Sequence, residues 1–545
     1  MSASNQRVRS PVRFPAQPLR RAADAPGTRP ARAVRGALSC GRRVKSLRLI
    51  DAFTRAGRCA VAAVVLVLGA GSLAASGETA AASEPARLHR YTVSIDESLT
   101  AIGVRACFEG AAPLYLVSES LDAAEALDTV TVEGTGKRLE PNGAELKLGA
   151  LAESPCVSYR TDLTRAQARH ESTGVPLRQI GRALISDLGI WFWRPQSLEA
   201  GEDIEVRFDL PEGLSVSAPW RSVIGEDGTR VYRVGHGPYD WPARVVFGRF
   251  QEMQIDVPGG ALRVALLEGA PAVDPEFVRK WLTQAATAVT TLYGRFPVPE
   301  VQVVVVPNAR GNEPVPWAYV LRGGAPSVHF FINQRYPLSE FMMDWTAVHE
   351  LSHLLLPFIR PEDAWLSEGA ASYYQNVLRA RAGIIPPGES WQKLHEGFRR
   401  GMKSRPGMSL ADATERMFRD GAFMRVYWEG AALLLLADQR LRQRSRGVQS
   451  LDRALERLQQ CCLSADIGWD ARELFAKLDE LSGDSVFREL YEAHVGSPEF
   501  PRLAEAYRLL GLAPDSEGDR VRMLDAAPEI ASRDAIMRSA DGTPD

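Results

Sequence analysis

The feature that most constrains the fold of this chain is a change of hydrophobic period near Pro258-Gly259-Gly260. Before it, over residues 88–250, apolar residues alternate in short runs, as in Tyr91-Thr92-Val93-Ser94-Ile95 and Ile204-Glu205-Val206-Arg207-Phe208. A period of two sends successive side chains to opposite faces of a strand. Leu127-Asp128-Thr129-Val130-Thr131-Val132 follows the same pattern with one slip, and Gly, Pro, Asn and Asp punctuate the gaps. Short strands separated by turn residues predict a β-sandwich. Trp191, Trp193, Trp220 and Trp241 fall in this region and are assigned to its packing.

After the glycines the period lengthens. Asp274-Pro275 sets a capping residue before a proline, a helix-start signal, and Val278, Trp281, Leu282, Ala285, Val289 and Leu292 recur at helical spacing. Residues 301–306 and 328–332 are apolar runs that read as buried strands. A helix is predicted over residues 339–356, stopped by Pro357, and nearly everything from Pro361 onward reads as helix. The class predicted is multidomain α+β: an N-terminal β-sandwich over 84–257, then a mixed domain with a helical lobe over 258–513. The polar tail, 514–545, reads as disordered.

Charge divides the chain differently. The formal net charge is -2 over 545 residues. Residues 1–76 hold 14 basic residues and only two acids, Asp24 and Asp51, so they carry +12 and the remainder carries -14. An acidic body excludes a nucleic-acid partner, which would need a basic face. Residues 1–83 read as a disordered basic leader followed by an export signal. Its apolar run spans 59–75, and small residues allow cleavage after Ser76 or after Ala82. The expected location is therefore periplasmic or extracellular. The alternative is an inner-membrane anchor formed by residues 59–75 if the run is not cleaved. Cys107, Cys156, Cys461 and Cys462 lie beyond the run. An exported chain permits disulfides, and four cysteines allow three pairings; buried free thiols are the other reading.

The stretch that carries chemistry is His349-Glu350-Leu351-Ser352-His353. Two histidines four apart on a helix share a face and can bind one zinc ion. Glu350, beside the first, can reach water bound to such an ion. Glu368, in Trp365-Leu366-Ser367-Glu368-Gly369, lies fifteen residues after His353 in a second helical stretch and is the favoured third ligand. Glu362 and Asp363 are its rivals, in a predicted loop. Three protein ligands leave a fourth position open, as in catalytic zinc sites. His329 falls on a predicted strand before the motif and reads as structural first, as a substrate-strand residue second.

The run from Trp365 through Ser372-Tyr373-Tyr374 resembles the glycyl aminopeptidase family of gluzincin metallopeptidases, and next the aminopeptidase N family. Tyr427-Trp428-Glu429-Gly430-Ala431 resembles the Tyr-x-x-Gly-Ala context found downstream in both. The resemblance implies a thermolysin-like zincin catalytic domain with one zinc per chain, held by His349, His353 and Glu368. It implies that Glu350 is the general base and Tyr427 the donor to the oxyanion. The implied activity is hydrolysis of peptide or protein substrates. Exopeptidases of this group carry an amine-binding glutamate on the strand before the motif helix, whereas Arg322-Gly323-Gly324-Ala325-Pro326-Ser327-Val328-His329 holds no acid. Both aminopeptidase and endopeptidase readings therefore stand, beside a non-catalytic zincin-like scaffold that binds peptides or proteins.

Overall fold

A computed structural model describes residues 87–538 except 121–122, 150, 152–154, 171–176, 226 and 464–466. The leader, the apolar run 59–75 and both cleavage positions lie outside the described residues. Among the described residues, no helix is long and apolar enough to cross a membrane.

The alternating region forms one eight-stranded sheet and two four-stranded sheets. Arg87–Ile95 sits near the middle of the large sheet, antiparallel to Ala101–Cys107 and parallel to Glu202–Asp209. Its inward residues Tyr91 and Val93 share one core with Ile204 and Val206 of the same sheet and with Leu116, Leu146, Leu184 and Phe247 of the smaller sheets. Sheets that share a core through their inner faces form a sandwich, as the alternation requires. Trp191, Trp193 and Trp220 are in that core. Trp241 is not: it packs on Phe358, just past the histidine motif, with ring centroids 4.3 Å apart.

Cys107 and Cys156 stand directly opposite in the antiparallel pair Ala101–Cys107 and Cys156–Asp162 and form a disulfide. Cys461 and Cys462 form the second. The first closes a loop with a sequence separation of 49, and chain-entropy arithmetic for such a loop gives about 4 kcal/mol. Cys107→Ser with Cys156→Ser should lower unfolding free energy by about that much, read by denaturant titration under non-reducing conditions.

The second sheet has five strands in the order Gln251–Val257, Gly260–Leu266, Glu300–Pro307, Ser327–Ile332 and Trp317–Leu321. This corrects the expected boundary at 257. Gln251–Val257 pairs along its whole length with Gly260–Leu266, so Pro258-Gly259 is a hairpin turn within this sheet. Strands joined by so tight a turn cannot belong to different sheets, and the sandwich ends with Arg244–Gly248. Val303, Val305, Val328 and Phe330 face the helices. Val304, Val306 and Phe331 face Ala183, Ile185 and Val246 of the sandwich. Burial on both faces explains why these strands read as continuous apolar runs.

On the helical side, Pro275–Thr290 starts where expected, with the Asp274 side chain accepting from Glu276 N–H. The single helix expected over 339–356 is instead two, Leu338–Met343 and Thr346–Ser352, followed by a 3₁₀ turn His353–Leu355. Asp344 is extended between them and its carboxylate accepts from the Thr346 N–H at 2.8 Å. An aspartate that can cap a new helix competes with continuing the old one.

The tail also differs from expectation. Leu512–Pro514 pairs with Val521–Met523, and Ile530–Ile536 is a helix. Ile536 and Met537 enter the helical core, and Arg381 Nε donates to the Ile536 carbonyl. The segment is polar on average, but Ile536 and Met537 are buried in the core, Val521 and Met523 pack against it, and Gln392 and Gln439 bond to it.

Candidate active site

The short helix Thr346–Ser352 is buried along its whole length. Ala347, Val348, Leu351, Leu354 and Leu355 pack into the core shared with the five-stranded sheet. That packing turns His349 and His353 toward the next helix, Ala364–Arg381, which carries Glu368 one turn from its start. The backbone stays right-handed helical through Ser352 and His353, so the tightening into a 3₁₀ turn does not take His353 off the shared face. One ligand atom from each of His349, His353 and Glu368 lies within 4.8 Å of the others, the one such metal-capable group among the described residues.

The rival carboxylates are not in this group. Asp363 is engaged elsewhere: its side chain accepts from Trp365 Nε1 at 3.1 Å and from Ala471 N–H at 2.8 Å. Glu362 is exposed. His329 is fully buried, with Nε2 3.0 Å from Ser327 Oγ and its ring stacked on Tyr319 at 5.0 Å. It alternates with Val328 and Phe330, which face the helices, so it points to the sandwich side of the sheet.

The histidine rings are fixed from behind. His349 Nδ1 lies 2.7 Å from Gln375 Oε1, and His353 Nδ1 lies 2.9 Å from Ser367 Oγ. An Nδ1–H donated to an amide oxygen leaves the lone pair on Nε2. Both Nε2 atoms point at Glu368 Oε2, at 3.3 and 3.7 Å. That oxygen is buried and has no well-formed hydrogen bond. Two imidazole nitrogens and a carboxylate oxygen converging in a buried space form a donor set that suits zinc.

Gln375 and Ser367 were missed in the sequence, although Gln375 is two helical turns past Glu368 and so on its face. Arg322 was missed as well. Its guanidinium donates to the His353 carbonyl at 2.6 Å and the Leu356 carbonyl at 3.3 Å, closing the end of the motif helix. Burial pulls Arg322 down to about 10.

The two glutamates are pushed apart. Burial drives the Glu350 carboxyl up to about 7, against the opposing pull of His349. Burial also works to raise Glu368, but His353 and His349 outweigh it and hold Glu368 below the usual range. Burial draws His353 down to about 4. The two carboxyls thus differ in how readily each holds a proton.

Tyr427 arrives from the helix Phe423–Ser445. Its ring stacks on His349 with centroids 6.0 Å apart, and its hydroxyl lies close enough to the Glu368 and Glu350 carboxylates to be acted on by both. Burial, with Glu368 and Glu350 nearby, holds that hydroxyl well above its ordinary value, so it remains a donor. Trp345 packs edge-on against His349, with centroids 5.4 Å apart.

No protein-family model and no curated protein matches the sequence. Solved structures do match in fold. An aminopeptidase N family protein from Idiomarina loihiensis aligns with a TM-score of 0.59 at 15% identity, covering 78% of each chain. An M1 zinc metallopeptidase from Deinococcus radiodurans aligns with a TM-score of 0.48 at 14% identity, covering 76% of this chain and 94% of that one. The likeness to the first is one of fold, and it extends over the sandwich as well as the mixed domain.

Proposed function

We propose that this chain is a zinc metallopeptidase with the fold of the aminopeptidase N family. The carrying observation is the pair of imidazoles locked through Nδ1, with both Nε2 atoms aimed at the otherwise unpaired Glu368 Oε2. The fold likeness supports the reading, since the structure it was found with is described as an aminopeptidase N family protein.

His349, His353 and Glu368 would hold the metal. Zinc, when bound, supplies a Lewis acid that polarises a carbonyl and brings the pKa of water to about 7. Glu350 takes the proton from the attacking water and delivers it to the departing amine. Tyr427 turns its hydroxyl toward the carbonyl oxygen as that oxygen gains charge. Gln375 and Ser367 keep the histidine rings in register throughout.

The finer assignment is cleavage of internal peptide bonds. The stretch before Ser327–Ile332 offers no carboxylate to a substrate ammonium, and its one charge is the Arg322 guanidinium. Export is part of the same proposal: two disulfides suit an oxidising compartment, in keeping with the apolar run at 59–75.

A digest of a mixed peptide library, with free and with acetylated N-termini, tests the proposal. New termini should arise in both sets, at rates within about tenfold of each other. Cleavage of the free set alone would restore an aminopeptidase, and no new termini in either would remove the peptidase reading.

A further inference from the structure

We propose that Gly369 and Gly430 are positioning residues, which hold Tyr427 on the His349 ring and beside Glu368 by letting two helices meet backbone to backbone. Gly369 directly follows Glu368, and Gly430 lies three residues past Tyr427 on the same side of its helix. A Cβ on Gly369 would stand 2.5 Å from the Gly430 carbonyl carbon and 2.6 Å from its Cα. A Cβ on Gly430 would stand 2.3 Å from the Trp365 carbonyl oxygen and 2.9 Å from the Gly369 Cα. Every one of these contacts is with backbone, so no side chain can swing away to relieve them.

The long helix is also held from its far side. Trp428, next to Tyr427, lies against the helix Pro387–Lys403 over two more glycines. A Cβ on Gly397 would stand 2.1 Å from the Trp428 ring, and one on Gly401 would stand 2.8 Å from the Trp428 Cβ. Phe423–Ser445 is thus seated between two glycine-lined surfaces, and a methyl group at position 430 has nowhere to go without displacing it. Displacement carries Tyr427 away from Glu368, because both belong to the helices being separated. The close pair therefore sets the placement of a donor at the site, which distinguishes it from ordinary packing.

The inference rests on the peptidase reading for its catalytic readout alone. The test compares Gly430→Ala, Tyr427→Phe and the double variant, with rates expressed per bound zinc and zinc affinity measured by chelator competition. Gly430→Ala should lower kcat/KM by about 10²-fold, the scale of a 1 Å misplacement. It should weaken zinc binding by about tenfold, the scale of disturbing a group that supports a metal ligand. On the Tyr427→Phe background the same change should cost less than about threefold in either quantity. Equal losses on both backgrounds, or no loss on either, would overturn the proposal. Should Gly430→Ala fail to fold, Gly401→Ala presses on the same helix more mildly and should show the same non-additivity. If no chain cleaves peptides, the zinc arm still decides: the double variant should bind zinc no more weakly than Tyr427→Phe by itself.

Discussion

Glu350→Gln is expected to lower kcat/KM for peptide hydrolysis by about 10²–10⁴-fold, the range that a positioned acid–base group contributes, while zinc content stays unchanged. The amide is nearly the same size as the carboxylate, so packing around the buried side chain is preserved. It cannot accept a proton, which removes both transfers assigned to Glu350. Metal retention is expected because Glu350 is not among the three converging ligand atoms. Single-turnover kinetics on the zinc-loaded variant checks this. Full activity would mean that another group moves the proton, and loss of zinc would mean that Glu350 belongs to the ligand set.

Tyr427→Phe should cost about 10²–10³-fold, the usual effect of removing one donor to a developing oxyanion. The loss should fall on kcat more than KM, because the interaction strengthens only as charge builds on the substrate oxygen. Phenylalanine keeps the ring that stacks on His349, so a purely packing role predicts almost no change. Steady-state kinetics on the two proteins separates the alternatives.

How much of this was legible depended on whether the signal was local. The lengthening of the hydrophobic period marked off the sandwich from the mixed domain, His349 and His353 followed from helical spacing, and Glu368 from its place in a second helical stretch together with the family resemblance. The exact break between domains was not legible, because Gln251–Val257 alternates like a sandwich strand while pairing into the other sheet. Asp344 could not be weighed as a helix breaker until its carboxylate was seen capping Thr346. Gln375 could have been found by counting two turns from Glu368. The contact between Gly369 and Gly430 could not, since it joins two helices about sixty residues apart and depends on how they cross. The tail misled for a related reason: average polarity hides the two residues, Ile536 and Met537, that reach the core.

The most direct test of the central claim is elemental analysis of the folded, purified chain for zinc. One zinc per chain is predicted, removable by chelator and restored by added zinc together with peptide hydrolysis. A properly folded chain that holds no zinc, and takes none up when it is supplied, would contradict the account.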